Sequence, residues 1–154
     1  MKASTLRFLM NIWPPFRGAG IRVRHIRPDY REILVEMPLR WYNRNYVGTH
    51  FGGSLCAMTD PFYMLMLIHN LGPEYIVWDR AAHIEFVRPG RGTVHARFTL
   101  DDEQVEAIRS ACQDGQAHYP EFTVDILDEK NKLVARVKKR IYVKKKEGRV
   151  RSEQ

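Results

Sequence analysis

Residues 52–71, GGSLCAMTDPFYMLMLIHNL, form the one segment of the chain that is apolar on nearly every side. A helix of this kind has to be enclosed by other elements. Its run of about 15 apolar residues is shorter than the roughly 20 that span a bilayer. It also contains Asp60, and a central carboxylate is costly in lipid. The segment therefore predicts a buried central helix and no transmembrane segment.

Six stretches of alternating apolar and polar residues surround this segment, and each predicts a strand with one buried face. They lie at residues 21–24, 32–37, 83–86, 94–100, 122–126 and 135–141. Strands of this kind need an apolar layer to cover, and the central helix supplies it. Two further helices are predicted, an amphipathic one over about 3–13 and a surface one from Asp101 or Asp102 to about 111. The fold class is α+β, with a curved antiparallel sheet of about six strands wrapped around a long central helix.

The 154 residues fit one domain, and their net charge of +7 is unevenly distributed. Residues 1–135 carry 16 Lys/Arg and 16 Asp/Glu, whereas residues 136–154 carry 9 and 2. This predicts a domain over residues 1–143 and a basic, flexible tail over residues 144–154. The two cysteines have no metal-site spacing and the N-terminus has no cleavage site, so we expect a cytoplasmic protein without disulfides, zinc or signal peptide.

Asp60 is the single carboxylate of the apolar segment, and it stands directly before Pro61. A buried charge is costly unless it is paired, hydrogen-bonded or used in chemistry, so Asp60 is the leading candidate for a catalytic residue. The alternative is a structural acid that caps a helix restarted at Pro61. In both cases Pro61 should kink or reset the helix.

The stretch Asn45-Tyr46-Val47-Gly48-Thr49-His50-Phe51-Gly52-Gly53, with Asp60 seven residues after the second glycine, resembles the active-site signature of hotdog acyl-CoA thioesterases of the phenylacetate-pathway and 4-hydroxybenzoyl-CoA types. The similarity continues through residues 79–90 and covers most of the chain. It implies the hotdog fold, hydrolysis of an acyl-CoA or acyl-carrier thioester, and a homodimer that could pair into a tetramer. Sites in such relatives contain residues of both subunits. No cofactor is implied, because coenzyme A is part of the substrate.

The same resemblance implies three catalytic residues. Asp60 would act as general base or nucleophile, and Asn45 would position the water or the carbonyl. The backbone N–H groups of Gly53 and the neighbouring Gly52 would polarise the thioester carbonyl at the start of the helix. The alternatives are an ordinary turn residue for Asn45 and close helix packing for the glycines.

Three further positions are candidate substrate-binding residues at which the chain departs from the family pattern. Phe51 occupies the position of the family's histidine, and His50 stands one residue earlier. Asp79 stands where relatives often carry Ser or Thr, so a second acid could repel Asp60 or share a proton with it. The shift at His50 leaves a second interpretation, a non-catalytic hotdog protein that binds an acyl group or acyl-CoA. A hotdog hydratase is a weaker rival, since His50 and Asp60 do not supply its usual acid–base pair.

The last predicted strand has a basic face formed by Arg136, Lys138 and Arg140. It could be a solvated edge that blocks aggregation, a docking site for coenzyme A phosphates, or a surface for anionic membranes or nucleic acid. A nucleic-acid module should carry interleaved aromatic residues, and the stretch has Tyr142 alone. We therefore include the three residues among the candidate substrate contacts and expect no nucleic-acid partner.

Overall fold

The computed structural model of the chain describes residues 1–148, and it contains the predicted six-stranded antiparallel sheet. The strands follow the order β1-β2-β4-β5-β6-β3 across the sheet. Their bounds are β1 Arg22–Ile26, β2 Glu32–Met37, β3 Tyr75–Phe86, β4 Val94–Thr99, β5 Glu121–Leu127 and β6 Leu133–Lys145. Buried and exposed residues alternate along β2, β4, β5 and β6, so one face of the sheet covers the core.

The central helix is present but divided in two, α3 at Gly52–Ala57 and α4 at Phe62–Leu71. The prediction of one long helix was wrong in this respect, whereas the expected reset at Pro61 is confirmed. Pro61 is the N-cap of α4, and Asp60 lies in the intervening turn with its N–H bonded to the carbonyl of Ala57. A proline cannot supply the donor that a continuous helix needs at this point.

Aromatic side chains of α4 fill the space between the helix and the sheet. Phe62 is fully buried, with its ring centroid 4.9 Å from that of Phe98 and 5.8 Å from that of Phe16. Tyr63 stacks on Phe122 at 4.5 Å. Burial raises the pKa of Tyr63 to about 12, with Asp125 adding a smaller effect in the same direction. The core is thus built from the apolar segment on which the fold prediction rested.

Three more helices cover the ends of this structure, α1 at Ala3–Ile12, α2 at Pro14–Ala19 and α5 at Asp102–Ala111. Asp101 caps α5 in a reciprocal capping box with Gln104, which confirms one of the two predicted caps. α1 confirms the predicted amphipathic helix, and its Asn11 side chain bonds to both the N–H and the carbonyl of Val23 in β1. None of the helices in the described range is long and apolar enough to cross a membrane.

β3 is much longer than the sequence pattern predicts, because only its end at residues 83–86 shows apolar alternation. The strand lies at the edge of the sheet and pairs with β6 over its whole length, with a bulge between Asp79 and Ala81. Few of its side chains are buried, so burial leaves no periodic pattern in its sequence. β6 continues to Lys145, two residues past the predicted end of the domain. Residues 149–154 of the predicted tail lie outside the described range.

Candidate active site

The loop before α3 is held together by the side chain of Asn45. Its Nδ2 donates to the Thr49 hydroxyl at 2.9 Å and to the His50 carbonyl at 3.3 Å. Its Oδ1 accepts from the N–H groups of Val47 and Thr49 at 3.2 and 2.9 Å. Gly48 has a φ of +84°, a conformation that strongly favours glycine. Asn45 therefore shapes the loop through its own amide, and the catalytic role implied by the resemblance stays a prediction.

A second asparagine, Asn43, connects this loop to the rest of the fold and is absent from the sequence-predicted site. It is 2% exposed. Its Oδ1 accepts from the Arg40 N–H at 2.7 Å, and its Nδ2 donates to the carbonyls of Ala19 and Pro38, both at 2.9 Å. An Asn in a polar loop gives no sequence signal for burial, since such residues usually occupy exposed turns. Asn43 fixes where the loop starts.

His50 is buried and anchors the loop to the segment after β3. Its Nε2 lies 2.7 Å from the Gly92 carbonyl, and its backbone N–H donates to the Gly90 carbonyl at 3.0 Å. Burial lowers the pKa of His50, and the bond to Gly92 opposes that effect. The neutral tautomer with its proton on Nε2 fits this contact, and Nδ1 has no partner within residues 1–148.

Aromatic rings lie beside the paired glycines at the start of α3. A Cβ added to Gly52 would lie 3.0 Å from the Phe86 ring, and one added to Gly53 would lie 2.5 Å from the ring of Phe51. Close packing of rings therefore accounts for both glycines in the isolated chain. Their N–H groups lie in the first turn of α3 and have no acceptor within residues 1–148. They remain available to an oxygen atom of a ligand.

A cavity of about 400 Å³ lies between the loop and the C-terminal end of β3. Its walls include both predicted and new residues, namely Asn45, Val47, Thr49, His50, Gly52, Leu55, Phe86, Val87, Arg88, Pro89 and Gly90. The structure thus brings Asn45, His50 and Gly52 together. Asp60 is not part of this wall.

Asp60 is not a buried acid, and this part of the prediction was wrong. Its side chain is 67% exposed in the isolated chain. The break before Pro61 turns residue 60 out of the helix, so the carboxylate reaches solvent. Asp60 lies eight residues after Gly52, which corresponds to roughly 12 Å of helical rise. Within one chain, the carboxylate and the cavity are therefore separate.

The buried charge in this region belongs to Lys139, whose side chain is 2% exposed. Its Nζ donates to the Asp60 carbonyl at 2.8 Å and to Asp60 Oδ1 at 3.4 Å. It also lies 2.9 Å from Asp79 Oδ1, in an ion pair that is poorly directed as a hydrogen bond. Lys139 is absent from the predicted site, although the sequence contains a signal for it. Along β6 it alternates with exposed residues, so it points to the same buried face as Val137 and Ile141.

Asp79 faces the same side of the sheet as Lys139, because it pairs with the buried Ile141 across β3 and β6. Burial raises the pKa of Asp79, Lys139 opposes the shift, and the Asp60 charge adds to it. The predicted proximity of Asp60 and Asp79 is thus seen in the structure, with a lysine between them. Bulges commonly re-aim side chains next to functional sites, and the bulge of β3 begins at Asp79.

The predicted basic face lies on the opposite side of the sheet, where Arg136, Lys138 and Arg140 are exposed. Arg136 forms two bonds to Asp125, at 2.7 and 3.0 Å, and Arg140 lies 3.4 Å from Glu121. Acidic residues of β5 therefore compensate two of the three charges. Docking of coenzyme A phosphates on this face stays a prediction, and the exposed Lys138 has no ion pair within the described residues.

Comparison with known proteins identifies both a family and a fold. The family model described as "Domain of unknown function (DUF4442)" matches residues 2–143. A comparison with curated proteins found no match. Among solved structures, a Pseudomonas aeruginosa protein of unknown function, described as a probable thioesterase, has a TM-score of 0.81 at 17% identity, covering 95% of this chain and 97% of its own.

Two further structures extend this likeness. A thioesterase from Haemophilus influenzae has a TM-score of 0.69 at 19% identity, over 94% of this chain and 92% of its own. The phenylacetic acid degradation protein PaaI from Thermus thermophilus, solved as a point mutant, has a TM-score of 0.58 at 24% identity, over 84% of this chain and 97% of its own. At these identities the likeness concerns the fold, and the predicted hotdog fold is confirmed.

Proposed function

The chain belongs to the DUF4442 family, and we propose that it is a thioester hydrolase that acts on an acyl-CoA or acyl-carrier thioester with Asp60 as general base or nucleophile. The observation that carries the proposal is the Asp60 carboxylate, exposed at the break of the central helix and contacted by a buried lysine. Three solved structures with this fold are described as a thioesterase, a probable thioesterase and a putative thioesterase, which supports the same reaction class.

The reaction needs few groups. A water molecule attacks the thioester carbonyl carbon while Asp60 accepts one of its protons, and the carbonyl oxygen gains negative charge. The N–H groups of Gly52 and Gly53 would stabilise that oxygen. The carbon–sulfur bond then breaks, and the leaving thiolate takes the proton from Asp60. If Asp60 attacks directly, the mixed anhydride formed with the acyl group is opened by water to the same products.

A homodimer would bring Asp60 to the cavity. Within residues 1–148 one edge of β3 has no neighbouring strand, and long free edges readily pair with a second chain. Asp79 and Phe86 lie seven residues apart on β3, roughly 20 Å along a strand. Antiparallel pairing with the partner subunit's β3 would set the Asp79 end of one strand near the Phe86 end of the other. Each site would then combine the loop of one subunit with the partner subunit's Asp60.

Hydrolysis of an acyl-CoA panel tests the reaction. Wild-type protein should release free thiol from at least one of acetyl-, hexanoyl-, decanoyl-, palmitoyl- or benzoyl-CoA, and Asp60→Asn should lose on the order of 10²-fold or more in kcat. Asp114→Asn is the matched control, because its exposed carboxylate bonds only to its own loop. Equal turnover by wild type and Asp60→Asn would remove Asp60 from the mechanism.

Mixing two inactive variants tests the shared site. Asp60→Asn lacks the proposed base and should be inactive. Gly53→Val should also be inactive, because a side chain at residue 53 collides with Phe51 beside the N–H groups proposed to bind the carbonyl. Random exchange of subunits in a two-fold dimer makes half of the dimers mixed, and each mixed dimer has one intact site. The mixture should therefore recover about a quarter of wild-type activity. No recovery, with exchange verified by mass, would contradict a site built from two chains.

A non-catalytic acyl-CoA binding protein is the second candidate, and one observation favours it. His50 is buried on Gly92 and Phe51 stands in the family's histidine position, so the imidazole of this loop is not free to act in the cavity. This candidate predicts saturable binding of a nonhydrolysable CoA thioether without turnover of any thioester. Calorimetry beside the thiol assay separates the two functions.

A further inference from the structure

The strongest unexplained feature of the molecule is the buried ammonium of Lys139. Placing it at an inward position of β6 carries a desolvation cost of several kcal/mol, and an apolar residue there would often be as stable or more so. Its neighbours in the same phase, Val137 and Ile141, are apolar and fully buried. The lysine therefore needs an explanation beyond filling the core.

Two of the three polar contacts described for Lys139 are to one residue, Asp60. The shortest, at 2.8 Å, is to the carbonyl of Asp60, at the place where α3 has ended and α4 has not begun. Backbone carbonyls at a helix end have no partner in the helix, so Lys139 fixes the main chain where the helix is interrupted. The contact to the carboxylate is longer, 3.4 Å, and Asp60 remains 67% exposed. The other carboxylate oxygen of Asp60 has no partner among residues 1–148 and is available for chemistry.

Asp79 holds the other side of the ammonium, at 2.9 Å, and is itself only 24% exposed. A lysine has three donors on a flexible stem, so a second anchor restricts where its charge lies. Asp60 and Lys139 are the charged groups that act on Asp79. The three side chains form one electrostatic unit in which two acids share one cation.

We infer that Lys139 is a positioning residue for Asp60. Held in place by Asp79, it keeps the Asp60 main chain and carboxylate in the outward arrangement that hydrolysis needs. The inference rests on the proposed function. It adds Asp79 and Lys139 to the proposed mechanism. Lys139 lies outside the stretches on which the family resemblance rests. Lys139 does not touch the substrate in this scheme and acts through Asp60 alone.

The activity test compares Lys139→Met, Lys139→Arg and Asp79→Asn, with Lys132→Met as a control at an exposed turn. Lys139→Met should lower kcat on the order of 10²-fold with KM nearly unchanged, since a misplaced catalytic group affects the chemical step. Lys139→Arg, which keeps a cation at this place, should restore part of the rate. A folded Lys139→Met protein with the wild-type kcat would overturn the inference.

A second measurement does not depend on turnover or on the folding of Lys139→Met. Carbon-detected NMR follows the Asp79 carboxyl during a pH titration of wild type and Asp60→Asn. Because the Asp60 charge contributes to the raised pKa of Asp79, its loss should move the Asp79 midpoint to lower pH. An unchanged midpoint would contradict the shared unit. If the midpoint moves but no thioester is hydrolysed, the unit stands, whereas the proposed function and the role of Lys139 in it fail.

Discussion

Replacing Asn43 should destabilise the fold more than replacing any exposed asparagine. Asn43→Ala removes three hydrogen bonds and leaves the Arg40 N–H and the carbonyls of Ala19 and Pro38 without that partner. A buried group that loses its partner costs about 1–3 kcal/mol, and water admitted to the space recovers part of this. We expect a loss of about 3 kcal/mol, which lowers Tm by about 6–12 °C at this chain length.

Asn43→Asp is a more specific test, because the side chain keeps its shape while an acceptor oxygen replaces the Nδ2 donor. The new carboxylate would face two carbonyl oxygens in a buried site, so its folded-state pKa should lie above its unfolded value. The folded chain then binds more protons than the unfolded chain, and stability falls as pH rises through that interval. The destabilisation by Asn43→Asp should therefore be larger at pH 7 than at pH 5.

Urea unfolding at fixed protein concentration measures both effects. Asn11→Ala provides the comparison, because Asn11 makes two hydrogen bonds in a less buried setting and should cost about 1 kcal/mol. An Asn43→Ala protein within about 0.5 kcal/mol of wild type would show that these hydrogen bonds contribute no more than a surface contact. An Asn43→Asp protein whose destabilisation does not depend on pH would contradict the raised pKa of the new carboxylate.

Three other outcomes follow from the structure. The pKa of His50 is lowered in the folded chain, so its contribution to stability is present above pH 6.5 and is lost as pH falls further. In His50→Gln, the free energy of unfolding measured in urea should therefore fall less steeply between pH 6.5 and 5, by up to about 1.4 kcal/mol per pH unit. Phe62→Ala should cost about 3–5 kcal/mol in urea unfolding, against less than about 1 for the partly exposed Ile68→Ala. Gly48→Ala should cost about 1–2 kcal/mol by the same assay, because φ is +84°; an unchanged midpoint would indicate that the turn rearranges.

The fold could be predicted from the sequence because its central segment and most of its strands carry strong patterns. The apolar run of residues 52–71 and the alternation of β4, β5 and β6 each reflect one buried surface. β3 could be predicted only at its end, since an edge strand with few buried side chains imposes little periodicity. Pro61 indicated that the central helix is divided, although the length of the apolar segment suggested one continuous helix.

The candidate site was harder to predict, because its geometry depends on contacts between distant residues. Asp60 was expected to be buried from the composition of its neighbours, yet the turn at Pro61 exposes it. Lys139 lies 79 residues after Asp60 and is surrounded in the sequence by other basic residues. The sequence alone therefore gave little indication that this one lysine faces the core. Asn45 and His50 were chosen from the motif and do line one cavity, but the hydrogen bonds that hold them in the loop could not be predicted from the motif.

The bond pair between Asn11 and Val23 has a consequence for how this sheet can grow. The outward N–H and carbonyl of Val23 are occupied by a side-chain amide, which imitates the backbone of a neighbouring strand. β1 is thereby blocked at that point, whereas β3 at the opposite edge has no neighbouring strand among the residues that the structure describes. If two chains pair through β3 as proposed, the occupied position on β1 disfavours the addition of further chains at that edge, which favours a closed dimer over a growing fibril.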